Sequence, residues 1–459
     1  MSSLSGIMDS ALSGLQTQQV LIDITNSNIS NVSTDGYSRQ SAVISTTQYN
    51  DCYTGTSVEV TEVKRVADSF TLKKLNSTSE TCSELESELK YLESIEAIFD
   101  ESEGSGLTEA LSDFFNTWQD LSNNASGVSE RSVLVSEAQS LANTLNEMYS
   151  SLEEIQSGIN DDIVSMVDDI NSITAQISDL NQKIMDGESA GLNVNTYLDQ
   201  RDALITDLSE LVDINYIEND DGQVYIQLSN GKSLVRGSSS WSLDTQTNTT
   251  TGMLDITWVD NNGNGTDVTG SITSGSLGGA IDIRDSVISG YMESLDELAS
   301  ELIAQVNTLH QTGYDLNGDA GVIFFTGTGA SDIALNQAIV DDSDLIAAAS
   351  SSDSVPGDSA IAAAIYNLQE SSLMNGNTST FQEYYAGLVS DIGSLVDNTD
   401  SSYDYQSSLK EFYSNFRESI SGVSTDEELA NLVLYQSTYE ACAKVMSVLN
   451  ELLETLLSI

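Results

Sequence analysis

Apolar residues recur at alternating intervals of four and three along the start of the chain, through Leu4, Met8, Ala11, Leu15, Gln18, Ile22, Thr25 and Ile29, with Gln18 and Thr25 as polar interruptions. The same interval returns at the other end through Leu429, Leu432, Gln436, Tyr439, Ala443, Met446, Asn450, Leu453 and Leu457. This spacing is a heptad seam, the mark of a helix that packs along its length on a partner. An isolated helix of this kind is marginal in water, and so much Leu, Ile and Met needs burial against something else. The two ends are therefore partners for each other or for neighbouring molecules; two core helices of one compact domain would carry the same pattern. Polar residues on a seam weaken packing but select register, which an assembling helix can use.

Between the ends the period changes several times. Ser27 to Gln40, "SNISNVSTDGYSRQ", ends the first helix: Asn28 and Asn31 can satisfy terminal backbone groups, Asp35 and Gly36 form a turn, and Tyr37 and Arg39 face whatever lies alongside. Two β-branched alternating stretches, "SRQSAVISTTQY" and "TSVEVTEVKRV", predict short strands. Helical periodicity returns from about Val66 to Phe99, resumes from Leu107 to Leu121 and runs long from Glu130 to about Met185, where Ile163, Val167, Ile170, Ile173, Ile177, Leu180 and Ile184 mark the stripe. From about Val212 to Ile283 Asp-Gly and Asn-Gly turns separate alternating runs, and Trp241 and Trp258 sit in further β-like segments. A helix from Ile283 to His310, a loop-rich stretch to about Asn377, and helices over Phe381 to Ser421 and Asp426 to Ser458 complete the chain. Ser424 or Thr425 caps the last helix, and Asp426, Glu427 and Glu428 suit the positive end of its dipole.

The expected fold is mainly α with an inserted β domain, the N- and C-terminal helices forming a coiled-coil or helical-bundle stalk. Its divisions are an N-terminal assembly helix at 1–36, a helical stalk with a short β hairpin at 37–211, a β-rich outer domain at 212–283, return helices with a loop-rich segment at 284–421, and a C-terminal assembly helix at 422–459.

Composition narrows what this architecture can do. Fifteen basic against 71 acidic residues give a net charge of −56, with no Lys or Arg between Arg284 and Lys410. Phosphate backbones and anionic membrane surfaces are disfavoured partners over that span, so neither a nucleic acid nor a membrane is expected. The start of the chain has no basic n-region and no continuous apolar core, which fits either a cytoplasmic protein or export without a cleaved signal. Cys52, Cys82 and Cys442 form no C-x-x-C pair and read as isolated small core residues.

Candidate chemistry is sparse. His310 is the only histidine, which removes most metal and acid–base constellations. "GESAG", Gly187 to Gly191, matches the G-x-S-x-G nucleophile elbow at Ser189, but it follows a long helix-period segment where the elbow needs a strand, and a helix end explains it better. "DLNGDAG", Asp315 to Gly321, begins like a calcium loop with Asp315, Asn317 and Asp319, then fails with Ala320 at the sixth position and Thr326 at the twelfth; a tight turn is the simpler account. In "LDQRD", Asp199, Arg201 and Asp202 suggest an intrahelical or interhelical ion pair. Arg39 either anchors a nearby carboxylate or fixes a neighbouring subunit. No cofactor or metal is expected and no catalytic residue is assigned; an esterase using Ser189 and a surface adhesin with a coiled-coil stalk are the readings from other classes.

Taken together these segments resemble the flagellar hook-associated protein 1 family. "LSGLQTQQVLIDITNSNISNVSTDGYSRQ" is similar to the signature shared by flagellar axial proteins, which by itself also fits a hook or rod subunit. "GTSVEVTEVKRVADSF", "YLDQRDALITDLSELVDI", "LHQTGYDLNGDAGVIFF" and the terminal segment from "SGVSTDEELANLV" resemble this one family in its own order. The usual Asn-Asn of the signature is Asn26-Ser27-Asn28 here, and a second outer domain of longer members is missing. The resemblance implies a structural, non-enzymatic protein that joins hook to filament as a ring of identical subunits. It also implies export without a cleavable signal, and contact with the hook protein, a second junction protein and an export chaperone. Expected assembly residues are Leu4, Met8, Ala11, Leu15, Ile22, Ile29, Asn28, Asn31, Gly36, Tyr37, Arg39, Leu429, Leu432, Tyr439, Met446 and Leu453, and the face expected to meet a chaperone groove is Leu432, Tyr439, Met446 and Leu453.

Overall fold

In a computed structural model, residues 2–48, 56–100, 106–219 and 222–457 are described, with the side chains of 2–5, 47, 48, 56 and 457 outside that description. Cys52 therefore lies outside the described residues, as does the Leu4 side chain. Helix α1 (Ser2–Ser30) leads into a hairpin of β1 (Gln40–Gln48) and β2 (Thr56–Arg65), then α2 (Ser69–Phe99), α3 (Leu107–Asn123), α4 (Val128–Ser189) and α5 (Asn195–Leu211). At 1.5 Å per residue the 62-residue α4 is about 93 Å long. Its buried stripe runs Leu134, Ala138, Leu141, Leu145, Leu152, Ile159, Ile163, Val167, Ile170, Ile177 and Ile184, so the stripe read from sequence faces the core; at one point Thr174 takes the buried place and Ile173 packs beside it.

Seven strands follow: β3 (Ile214–Glu218), β4 (Val224–Leu228), β5 (Ser233–Arg236), β6 (Ser239–Ser240), β7 (Leu243–Thr247), β8 (Leu254–Val259) and β9 (Gly265–Asp267). They form two antiparallel sheets in chain order, β3-β4-β5-β6 and β7-β8-β9. The Asn230-Gly231 turn closes β4 onto β5 with Gly231 at φ +82, a conformation that only glycine adopts at little cost. The sheets lie along α4 and share its core, with Val224, Ile226, Leu228, Leu234, Val235, Leu243 and Ile256 joining one continuous apolar cluster with the helix stripe. Asn171 and Asn181 bracket the contact: each carboxamide both donates to and accepts from strand backbone, at Leu243 and at Val224.

Helix α6 (Gly275–Asp282) passes through a π-helical turn into α7 (Ile288–Gln311). A loop-rich segment holds β10 (Phe325–Thr326), β11 (Ala334–Leu335), α8 (Gln337–Asp341) and α9 (Ala360–Tyr366). The long α10 (Phe381–Ser421), opened by a Thr380/Glu383 capping box, lies on α2, and α11 (Thr425–Leu457) turns back along α1. The aromatic heart of the body is Phe114, Phe115 and Trp118 of α3 with Phe324, Phe325 and Phe381, all fully buried and mostly edge-on or tilted to one another.

Candidate assembly interface

The joint that opens the terminal pair is built on Asn28. It is 1 % exposed, accepts at Oδ1 from the Gln40 amide and the Tyr37 hydroxyl, both at 2.9 Å, and donates from Nδ2 to the Gln40 carbonyl at 3.0 Å. One side chain thus mimics a strand partner for β1 while sitting on α1. Asn31 donates back to the Ser27 carbonyl at 2.9 Å and closes the helix end, as expected from sequence. Gly36, at φ +79, reverses the chain. Burial raises the Tyr37 pKa, which keeps the phenol a neutral donor to Asn28.

Arg39 anchors carboxylates of its own chain. Its Nε donates to Glu428 Oε1 at 2.8 Å, with Glu427 3.8 Å from an Nη, so the guanidinium serves its own C-terminal helix. Its backbone amide donates to the Ser421 carbonyl and its carbonyl accepts from Val66, both at 2.8 Å. Residue 39 therefore ties the N-terminal turn to the ends of β2, α10 and α11. Glu428 was read only as a dipole partner; it is 2 % exposed and completes this clasp, while Ser424 Oγ caps the helix at Glu427.

Above the joint α1 and α11 run antiparallel, with Gly14 against Cys442: a methyl on Gly14 would stand 3.2 Å from the Cys442 sulfur. On α1, Ala11, Thr17, Leu21, Thr25 and Asn28 are buried, and Met8, Leu15, Ile22 and Ile29 are half-buried. Thr17 and Ser13 also bond the Val58 backbone, so α1 is held between α11 and the hairpin. On α11 the seam read from sequence is half in phase: Leu432, Met446 and Leu453 are half-buried, as are Tyr435 and Cys442, while its alternate positions fall one residue late. The inward positions are Glu428, Tyr435, Cys442 and Leu449, one residue before Leu429, Gln436, Ala443 and Asn450. Leu429 is 51 % and Tyr439 39 % exposed. The physical reason is that α11 is apolar on more than one face: Val433, Leu434, Val445, Val448, Leu452 and Leu456 all face outward, so periodicity alone could not choose the phase.

The remaining candidates turn out to be structural. His310 is fully buried, its Nδ1 2.6 Å from the Val322 carbonyl and its Nε2 accepting from the Ala347 amide, and burial lowers its pKa to about 4. Both ring nitrogens of the neutral imidazole are occupied. Ser189 is the exposed last residue of α4, followed by Gly191 at φ +69, a helix end as expected. Asp315 Oδ1 accepts the amides of Asn317 and Asp319, which makes "DLNGDAG" a tight turn. Arg201 leaves Asp199 and Asp202 to Arg65, at 2.9 and 2.7 Å, and itself reaches Asn181, Glu218 and the Gly222 carbonyl. Among the described residues no group of three or more metal-binding side chains gathers, and no helix is long and apolar enough to cross a membrane.

Residues 92–325, half of the chain, match the family model of the flagellar hook-associated protein FlgK helical domain. The chain belongs to the flagellar hook-associated protein FlgK family. The ends of this FlgK-family chain match broader axial models, flagella basal body rod protein at 8–37 and flagellar basal body rod FlgEFG protein C-terminal at 417–459. It is similar to flagellar hook-associated protein 1 of Escherichia coli K12, 27 % identical over 99 % of this chain and 100 % of that protein, and of Bacillus subtilis 168, 28 % identical over 98 % and 97 %. The first alignment spans 549 positions, more than the 459 residues here, so that relative holds segments this chain does not. The fold is that of the flagellar hook junction protein FlgK from Burkholderia pseudomallei, with a TM-score of 0.70 at 18 % identity over 76 % of this chain and all of the other. The FlgK-family chain is thus a structural axial protein of the bacterial flagellum, and the sequence reading of a mainly helical fold with an inserted sheet region holds.

Proposed function

We propose that this chain joins hook to filament as a ring of identical subunits, the α1–α11 pair forming its inner, assembling part and α2–α10 its outer body. The observation that carries this reading is the apolar surface left by the terminal pair: Val433, Leu434, Val445, Val448, Leu452 and Leu456 are 45 to 66 % exposed along one helix. A patch of that extent on a chain of net charge −56 marks a place where another surface is to be received. The neighbours in this reading are further copies, the hook protein on one side and a second junction protein on the other. Before assembly, an export chaperone covers the face carrying Leu432, Tyr439, Met446 and Leu453. Three of those four are half-buried against α1 in the folded pair, so the chaperone takes α11 before α1 does. Passage to the flagellum without a cleaved signal suits helices that order only on assembly.

Removing the chain from Ala430 onward is expected to abolish incorporation. Imaging of cells carrying only the truncated protein would then show hooks without filaments and filament subunits in the medium; normal filaments would sink the proposal. Labelled antibody at the distal end of the hook separates this reading from a hook or rod subunit, which would label along the hook or below it.

A further inference from the structure

Glu80, Glu84 and Glu88 stand four residues apart on α2, on one face of the helix and half-buried. Helix α6 is seated on that face with almost no clearance. A methyl on Gly279 would lie 2.6 Å from the Glu84 carbonyl oxygen and 3.2 Å from Glu88 Cγ, and Ser274 Oγ donates to Glu84 Oε2 at 2.7 Å. At the other end of α6, a methyl on Gly275 would lie 2.7 Å from the backbone where α5 ends, at Leu211 and Val212. The seam therefore joins α2 to both points where the chain enters and leaves the β region. Beside it, Glu80 and Asp213 line a cleft of about 400 Å³ together with Asn76, Ser209, Tyr216 and Ser229. Asp213 is 7 % exposed and its Oδ1 is buried without a hydrogen-bond partner.

The charges that bear on this seam are nearly all of one sign. Asp213 faces it from the α5–β3 junction and Asp282 from α6, and Glu84 lies between Glu80 and Glu88. Lys73 lines the same cleft, but its Nζ is drawn over the Tyr216 ring, 5.6 Å from the centroid, and Glu210 of α5 is taken by Lys410 at 2.8 Å. Ionising several half-buried carboxylates along one seam is costly, and opening the seat or admitting a cation relieves that cost.

We propose that this seam is a proton-operated clasp: Glu80 and Glu88, on either side of Glu84, hold protons while α6 and the lead-in to β3 are seated, and releasing those protons to solvent loosens the β region from α2. Burial, reinforced by the neighbouring carboxylates, pushes Glu80 and Glu88 up to about 7 and raises Glu84; burial alone raises Asp213, against hydrogen bonds from Ser229 and the Thr273 backbone. Since the folded state holds protons that an unfolded carboxyl gives up near 4.5, the clasp's contribution is complete below that value and is lost as pH rises through about 7.

Hydrogen exchange of the full chain, corrected for the intrinsic effect of pH, reads this directly. Between about pH 6 and about pH 8.5, exchange over 214–218 and 275–282 is expected to accelerate roughly tenfold or more while the α4 stripe around Ile163 to Ile177 stays protected. Glu80→Gln with Glu88→Gln, which keeps shape and removes charge, is expected to abolish the difference; Glu86→Gln, exposed on the same helix, is expected to leave it intact. Infrared titration of the unaltered protein gives an independent reading, a protonated carboxyl band that persists to near pH 7. The proposal is overturned by equal protection at both pH values, by a double variant that keeps the full response, or by the absence of that band. It is equally overturned if millimolar MgCl2 or CaCl2 restores protection at the higher pH, since the seam would then be a cation site.

Discussion

The body and the terminal pair of this protein are built from similar helices and have opposite surfaces. In the body, α2, α3, α4 and α7 turn Leu92, Phe99, Leu111, Trp118, Leu141, Ile163, Leu298 and Leu302 inward to essentially zero exposure. Among the described residues of the terminal pair the most buried apolar ones are Ala11, Leu21 and Leu449, at 6 to 8 %, and the other buried positions are Thr17, Thr25, Asn28 and Glu428. Much of the apolar surface of α11, from Val433 and Leu434 to Val448, Leu452 and Leu456, faces outward. The body is held by its own core; the ends are held by a hydrogen-bonded joint and a thin seam. That division is what an assembling subunit needs, since a protein whose sticky helices satisfied each other completely would have nothing left to offer a neighbour.

Substitutions can break or sharpen this contrast. Phe114→Ala, in the aromatic heart, is expected to destabilise the body by about 3–5 kcal/mol, whereas Leu449→Ala in the seam should fall well short of that; equal losses in denaturant unfolding would erase the distinction. Asn28→Ala strands the Gln40 amide and carbonyl in a buried site and is expected to cost about 1–3 kcal/mol. That loss should appear in the protection of α1 and β1 and leave α4 untouched. Val448→Ser with Leu452→Ser, on the outward face, is expected to change monomer stability by no more than about 0.5 kcal/mol while reducing incorporation into flagella. A monomer that melted early would place these residues in the fold instead.

Regular, one-faced periodicity was legible in the sequence, and choices between faces were not. The stripe of α4 could be read because that helix presents a single apolar face over many turns; the bounds of α10 match as well, although Tyr405, Phe412 and Phe416 leave its second half exposed and aromatic. The phase of α11 could not, because Leu429 and Tyr439 are as apolar as Cys442 and Leu449, and only the presence of α1, Gly14 included, selects between them. Long-range pairing was equally hidden. Arg39 meets Glu428 across 389 positions, and Arg201, flanked by two aspartates in sequence, turns away from both toward the β region. The glutamate row of α2 is visible as a four-residue repeat, but its significance depends on α6 lying across it.

The scarcity of positive charge gives these contacts a further meaning. Of fifteen basic residues, Arg131, Arg201 and Arg284 are fully buried, and each spans a junction: Arg131 the α3–α4 turn and the loop at Ser343 and Ile346, Arg201 the α5 helix and the β region, Arg284 the start of the α7 run and the Leu254 carbonyl. Removing such a group leaves several acceptors unsatisfied at once, and lysine, with one compact ammonium, cannot replace the fork.

Seen mechanically, residue 39 is a node in a load path. A pull on either terminal helix reaches the body through the covalent turn, the Ser421 carbonyl, the Val66 amide and the Glu428 carboxylate acting side by side. Bonds loaded in parallel share a force that the same bonds in series would each bear in full, so tension between the terminal helices and the body is shared among these contacts at one point in the chain.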